Sequence, residues 1–447
     1  MRSRNVIALC AALLIPLSAC SSAGGGGKSG TSAASPASAV AAAAKPGPDN
    51  NWSTGGLTVN ASSLKCATPA PDPHRGITAT SIKIGGLGYL TSPTGSSMAG
   101  SDVGAKVRFQ RANDEGGVYG RKIDFIGMLD DGADPARNGE QAKVLAERDQ
   151  VFAVAPLMSS YPNYLDTFCK QVVPFFGWGF NTGFCGNTLG FGITGCQLST
   201  ASFTNGGMGA AASQLFGGGI QGKTIAIVGE DNASAQLGVQ RFVSAYKAAG
   251  MKVVYQSNNI SSSQGITDPT PLVQAIMKVN PDLVLHVEST ANAIKLTGAL
   301  NAAGYKGAQE NAVGYDPRLT KLPALNGSYT VLQWAPAESD VAAVKQLVAD
   351  FQKYAPGQLL SLPAMAGYWS AAMLLNGLKA TGKDLTVGSF LNTLNSGTWK
   401  NYVPGALPET QWPFNHTYPA PCFSIAQLKA GKYQAVGKLA CGGLVAG

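Results

Sequence analysis

From residue 76 onward the chain alternates between short apolar runs and amphipathic ones. Runs at 81–86, 122–129, 151–157, 174–178, 224–229, 252–256, 282–287 and 329–334 predict strands. Between them, stripes at i, i+3, i+4 and i+7 predict helices: Val239, Phe242, Val243 and Tyr246, then Leu272, Ala275, Ile276 and Val279, then Leu296, Ala299, Leu300 and Ala303. Glycines at 116–117, 250 and 304 stand where these periods stop, as helix C-termini favour. Strands such as Ile225-Ala226-Ile227-Val228 are apolar at every position, which suits a parallel sheet covered by helices on both faces. About four βα units precede residues 203–216 and three or more follow, so the pattern predicts two doubly wound α/β sheets. Ligands in such sheets sit beyond the carboxyl ends of the strands. The loops to consider are therefore 88–97, 157–161, 178–182, 230–237 and 288–292.

A length of 447 residues exceeds what one core supports and agrees with two. Charged residues make up only 13% and hydrophobic ones 45%, which argues against a disordered polyelectrolyte. After the first twenty residues no apolar run reaches the ~18 needed to cross a bilayer. The formal charge of +8 falls by two, to +6, once Arg2 and Arg4 leave with a leader, and the remaining bases are scattered. No basic stripe would follow a phosphate backbone, so nucleic acid is not expected as a partner.

Residues 1–19 carry Arg2 and Arg4, an apolar segment from Val6 to Leu17 and then Leu17-Ser18-Ala19-Cys20, which resembles the bacterial lipobox. Cys20 is the expected lipidation site, giving an extracytoplasmic protein held to the membrane. Residues 20–50, rich in Gly, Ala and Ser, read as a flexible tether, and 51–75 as an N-terminal extension. With Cys10 in the leader and Cys20 lipidated, six of eight cysteines remain, and an even set outside the cytoplasm favours disulfides. Cys422 and Cys441 flank a hairpin-like segment whose ends they can bridge. The pairing of Cys66, Cys169, Cys185 and Cys196 stays open.

Candidate chemistry is sparse. Residues 217–224 satisfy the phosphate-loop pattern, but a helix is expected before the glycines and a strand after Lys223, the reverse of what phosphate binding needs. Asp130, Asp131 and Asp134 precede Pro135 and read better as helix-start caps than as metal ligands. His74, His286 and His416 lie in separate contexts, and His286 falls inside an apolar strand as a satisfied core residue. No hydrolase elbow or zinc-protease motif occurs, so no enzymatic activity and no cofactor are expected. Ser159 and Ser160 follow a strand and precede a helix expected from about residue 161, an arrangement suited to an anion. Trp178 and Phe180, at the next strand's exit, could stack on a planar or apolar ligand.

Four stretches carry a family resemblance: Thr80-Ser81-Ile82-Lys83-Ile84-Gly85, residues 112–122, Asp130 to Pro135 and Pro281-Asp282-Leu283-Val284. They resemble the type I periplasmic binding proteins, in the branch serving branched-chain amino acid ABC importers. That resemblance implies two Rossmann-like lobes joined by a three-segment hinge, with 76–200 and 315–400 in the first and 201–314 and 401–447 in the second. It also implies a small-molecule ligand and ABC permease subunits as partners. The family's pocket positions fall on Ser97, Leu157, Met158, Ser159, Ser160, Phe180 and Thr182 in the first lobe. In the second they fall on Leu237, where the family has Tyr, and Asn292, where it has the Glu that pairs an α-ammonium. Glu288 or Asp316 could supply that charge instead; without it an ordinary α-amino acid is disfavoured, and the expected ligand is a small amino-acid-like or other carboxylate. A ligand-sensing receptor without a transport role is the alternative on the same fold.

Overall fold

The computed structural model describes residues 45–46, 50–93, 97–312 and 314–446, so the leader and Cys20 lie outside the described residues. Ala37–Gly447 forms one compact unit. Two sheets organise it. In the first, five parallel strands lie in the order Lys122–Asp130, Ser81–Gly88, Ala153–Met158, Phe175–Gly177 and Gly190–Gly192. In the second, Lys252–Ile260, Thr224–Glu230, Leu283–Val287, Ala308–Asn311 and Tyr329–Leu332 are parallel. The antiparallel hairpin Cys422–Lys429 and Lys432–Cys441 completes that sheet.

Alternation inside the strands explains the packing. Ile225, Ile227, Leu283 and Leu285 face one helix layer with Tyr246, whereas Ala226, Val228 and Val284 face another with Ile276, Leu296 and Leu300. Both faces are dry, as continuous apolar runs require. Helix Ala233–Ala248 starts where Asn232 accepts a hydrogen bond from the Ala235 N–H at 2.9 Å, and its chain reverses at Gly250, whose φ of 91° suits glycine. The fold class read from the sequence is the one found.

Some segments sit elsewhere than the lobe boundaries drawn from the sequence. Tyr329–Leu332, grouped there with the first lobe, pairs inside the second sheet. Conversely, the ribbon Lys400–Val403 and Leu407–Gln411, grouped from residue 401 on with the second lobe, packs through Leu407, and the chain just after it through Trp412, into the first lobe's core. Within these two sheets, Gly190–Gly192 and Ala308–Asn311 fell outside the predicted strands, as did strands of the smaller sheets such as Leu57–Asn60 and Leu407–Gln411. Gly-Phe-Gly and Ala-Gln-Glu-Asn carry no apolar alternation, and tertiary pairing makes them strands.

The chain passes between lobes at 193–202, 333–341 and 412–421. These crossovers are hydrogen-bonded to one another. Gln197 and Gln333 exchange amides, each Nε2 donating to the other's Oε1, at 2.7 and 2.9 Å. The Ala420 N–H donates to the Thr194 carbonyl at 2.8 Å, and the Cys196 N–H to that of Asn415 at 3.0 Å. Disulfides pin their flanks: Cys185–Cys196 ties the first crossover to a first-lobe loop, and Cys422–Cys441 closes the hairpin as expected. The third, Cys66–Cys169, joins the N-terminal extension to helix Leu165–Gln171.

Candidate functional site

Strand Gly190–Gly192 runs directly into the first crossover and Tyr329–Leu332 into the second. Each sheet therefore turns its carboxyl edge toward the hinge, which brings the candidate loops of both lobes to the same side. A depression of about 330 Å³ lies elsewhere, between residues 320–326 and the hairpin turn Ala430-Gly431. The candidate loops read from the sequence lie at the carboxyl edges, away from this depression.

At the first lobe's edge, Ser97, Ser160 and Thr182 are exposed, and the Ser97 hydroxyl donates to the Leu90 carbonyl at 2.6 Å. Leu157 and Met158 are fully buried in their strand, so their side chains belong to the core. Ser159 reaches the edge but turns inward. Its hydroxyl donates to Asp131 and accepts from Asn138 Nδ2 at 2.8 Å, while its carbonyl accepts from Asn181 Nδ2 at 2.7 Å. Asn181 Oδ1 in turn accepts the Tyr164 phenol at 2.9 Å, and burial pushes that phenol's pKa far up. The helix after this loop begins at Leu165, not near 161, and has only seven residues. Pro162 and the turn at 163–164 delay it, so the anion-binding helix start expected beside Ser159 is absent and Ser160 is the hydroxyl left facing outward. Asp130 accepts the Leu90 and Gly132 N–H groups, and Asp134 caps helix Pro135–Lys143, as the capping reading of this acidic cluster requires. Among the described residues, no group of three His, Cys, Asp or Glu side chains is arranged to hold a metal.

Trp178 is buried with its indole N–H donating to Gln333 of the second crossover. Its ring meets Phe180 at 5.3 Å and Trp334 at 5.2 Å, both edge-on. Phe180 is half-buried against Trp178, and Tyr161 is exposed.

The second lobe's edge is dominated by Glu230. Its Oε1 accepts from the Ser289 N–H and from Asn292 Nδ2, both at 2.9 Å, and its Oε2 accepts from Asn232 Nδ2 at 3.1 Å. Asn292 Oδ1 accepts the Ile266 N–H at 2.8 Å, so both ends of this buried amide are engaged. Leu237 lies half-buried on the facing helix. Glu288 meets His286 Nδ1 at 2.8 Å inside the lobe, and burial pushes its carboxyl up. His286 is therefore not the fully satisfied core residue expected: its Nε2 and Glu288 Oε2 have no hydrogen-bond partner among the described residues. Asp316 caps residues 317–321 and pairs with Arg318.

The sequence matches the family described as periplasmic binding protein over residues 81–432, most of the chain. The chain is a periplasmic binding protein. Solved structures agree on the fold. A fatty acid ABC transporter substrate-binding protein from Thermomonospora curvata superposes with a TM-score of 0.64 at 20% identity, covering 84% of this chain and 97% of that one. A solute-binding protein of an ABC transporter from R. palustris, in complex with benzoate, gives 0.59 at 21%, covering 82% and 98%. A possible leucine/isoleucine/valine-binding protein from Rhodopirellula baltica gives 0.62 at 16%, covering 83% and 98%. No curated protein matches the sequence.

In this binding protein the residues that sequence reasoning missed are Asp131, Asn138, Asn181 and Glu230. Asp131 stands one step beyond a strand, Glu230 ends one, Asn181 caps the turn at 182–184 and Asn138 lies near the start of helix Pro135–Lys143, close to the strand ends where side-chain hydrogen bonds to backbone are expected. That position was their one signal, and it does not distinguish a loop brace from a ligand contact.

Proposed function

We propose that this protein is the solute-binding component of an ABC importer. In this reading it is a lipoprotein anchored through Cys20 at the outer face of the cell membrane, and performs no chemistry on its ligand. The ligand is a small carboxylate without an α-ammonium group. One observation carries this choice: Asn292 stands where an ammonium-pairing acid would be needed, and Glu230, beside it, already accepts three hydrogen bonds. Glu288 faces inward to His286 and Asp316 faces Arg318, so neither expected substitute is directed at a ligand. A buried ammonium would lack its charge partner, at a cost of several kcal/mol. The partly exposed ring of Phe180 and the exposed hydroxyls of Ser160 and Thr182, all on first-lobe loops, suit an apolar body bearing an acid. Relatives whose names specify benzoate and fatty acids support the same class.

Closure follows from population shift: a ligand touching both carboxyl edges stabilises the closed lobes, the form a permease recognises. A thermal-shift screen over amino acids, short peptides, and aromatic and aliphatic acids tests the reading. An acid at one hundred times its Kd adds about 2.7 kcal/mol of stability. Benzoate-like or fatty acids should raise the melting temperature while leucine leaves it unchanged; a shift with leucine alone would reject the ligand class. Intact-mass analysis of membrane-extracted protein should find a diacylglyceryl group on Cys20, and a leader-bearing unmodified chain would remove the anchor.

A further inference from the structure

The extension at residues 51–66 has a fold of its own and a position that the binding reading does not use. Asn51–Thr54 and Leu57–Asn60 form a hairpin, and the inward side chains Leu57 and Val59, with Leu64, are buried. They pack in one apolar cluster with Phe203 of the strand following the first crossover, Phe414 and Tyr418 of the third, and Leu444 of the C-terminal strand. Phe203–Asn205 pairs with Leu444–Ala446 in a small sheet of their own, which the second lobe holds through Arg241. Arg241 of helix Ala233–Ala248 stacks over Phe203 at 4.3 Å and donates to the Ser199 and Ala201 carbonyls at 2.9 and 2.7 Å.

The other end of the same segment is fixed to the first lobe. The Lys65 N–H donates to the Gly186 carbonyl at 2.9 Å, the Thr188 N–H donates to the Lys65 carbonyl at 3.0 Å, and Cys66 is disulfide-bonded to Cys169. At its turn, the Gly55 carbonyl accepts the Ala446 N–H at 3.2 Å. One continuous stretch of about fifteen residues thus grips a structural element on each side of the hinge and covers two of the three crossovers between them.

We propose that residues 51–66 are a strap across the hinge, which restrains the angle between the lobes. A hinge works by small dihedral changes in a few connecting residues. A swing of the lobes moves Phe203 and Leu444 relative to Gly186 and Cys169, so it must either shear the apolar cluster or carry the hairpin with it. Packed clusters resist continuous shear, and the strap therefore narrows the range of open angles available without ligand. Lys45–Pro46, inside the stretch read from the sequence as flexible tether, pairs antiparallel with Trp52 and Ser53, so the strap's ordered sheet begins before residue 51.

The test needs no ligand. Spin labels on Glu140→Cys and Lys278→Cys, exposed positions on helices of the two lobes, report the interlobe distance distribution in the full chain. Leu57→Asp with Val59→Asp places carboxylates in the cluster and detaches the hairpin, confirmed by lost hydrogen-exchange protection over residues 51–60. The distribution should then broaden and shift to a different mean, with wild-type protection kept in Ser81–Gly88 and Thr224–Glu230. An unchanged distribution with the hairpin detached overturns the proposal. If that variant does not fold, Gly55→Ala decides by the same distances: the residue has φ of 57°, and a Cβ there would stand 2.1 Å from the Leu444 carbonyl oxygen, so the turn must lift from the C-terminal strand. A wild-type distribution in that variant, with the hairpin–Leu444 contact released, likewise overturns it.

Discussion

At the scale of single residues, two buried groups set opposing pH dependences. Glu310, in the second lobe's sheet, accepts the Tyr246 phenol at 3.2 Å through one oxygen, and the other oxygen has no partner among the described residues. Burial pushes its carboxyl up to about 7 from the ordinary 4.5. Between those values the folded protein holds a proton that the unfolded chain has released, so stability falls as pH rises through the window, by up to about 3 kcal/mol. His416, in the third crossover, acts the other way: burial lowers its pKa to about 3, and stability is lost as pH falls from about 6.5 toward that value. Glu310→Gln isolates the first effect. Urea denaturation should find the variant more stable than wild type at pH 8 and no more stable at pH 4; equal differences at both would show that Glu310 does not titrate in this range. The two serines of the first-lobe loop separate in the same manner. Ser159→Ala leaves buried Asp131 and Asn138 short of a partner and should lower stability by about 1–3 kcal/mol. Ser160→Ala should leave stability unchanged and weaken binding of the acid that gives the largest thermal shift.

At the scale of elements, eight strands of the two main sheets were legible from their apolar residues, and helices Ala233–Ala248, Thr270–Val279 and Thr290–Ala302 from stripes that keep the 3.6-residue period. Two kinds of information were not. Short polar strands such as Ala308–Asn311 exist only through their neighbours, and the lobe to which Tyr329–Leu332 belongs depends on pairing partners nearly a hundred residues away. The candidate loops were legible by place and not by side chain. Strand ends marked the candidate loops at the carboxyl edges, yet which hydroxyl turns inward there depended on Asp131, Asn138 and Asn181, drawn from two loops and helix Pro135–Lys143. Helix contact is a further case. Helix Ser101–Asp114 lies so close to Leu362–Thr381 that a Cβ on Gly104 would stand 2.0 Å from the Ala364 carbonyl oxygen, and one on Gly367 1.9 Å from that of Ser101. Gly104→Ala or Gly367→Ala must part the helices despite alanine's better helix propensity. A destabilisation of about 1–3 kcal/mol is expected for either, read from denaturation midpoints at unchanged slope.

At the scale of the whole molecule, ligand choice and lobe closure are one equilibrium. A solute held by one edge alone binds open and closed forms alike and shifts nothing, so selectivity resides in the groups that meet only on closure. For leucine, those second-lobe groups would have to include an acid for the ammonium. Here the corresponding amide of Asn292 is held between Glu230 and the Ile266 N–H, and closing over an ammonium would bury it unpaired. The comparison that isolates this term is leucine against 4-methylpentanoate, the same carbon skeleton and carboxylate without the amino group. Calorimetric titration should find 4-methylpentanoate tighter by at least about tenfold, since 1.4 kcal/mol suffices for that ratio and an unpaired buried charge costs more. Scattering should show the smaller radius of a closed form with 4-methylpentanoate and not with leucine. Equal affinities, each with closure, would mean that the ammonium finds a partner at this edge and that Glu230 leaves Asn292 when the lobes meet.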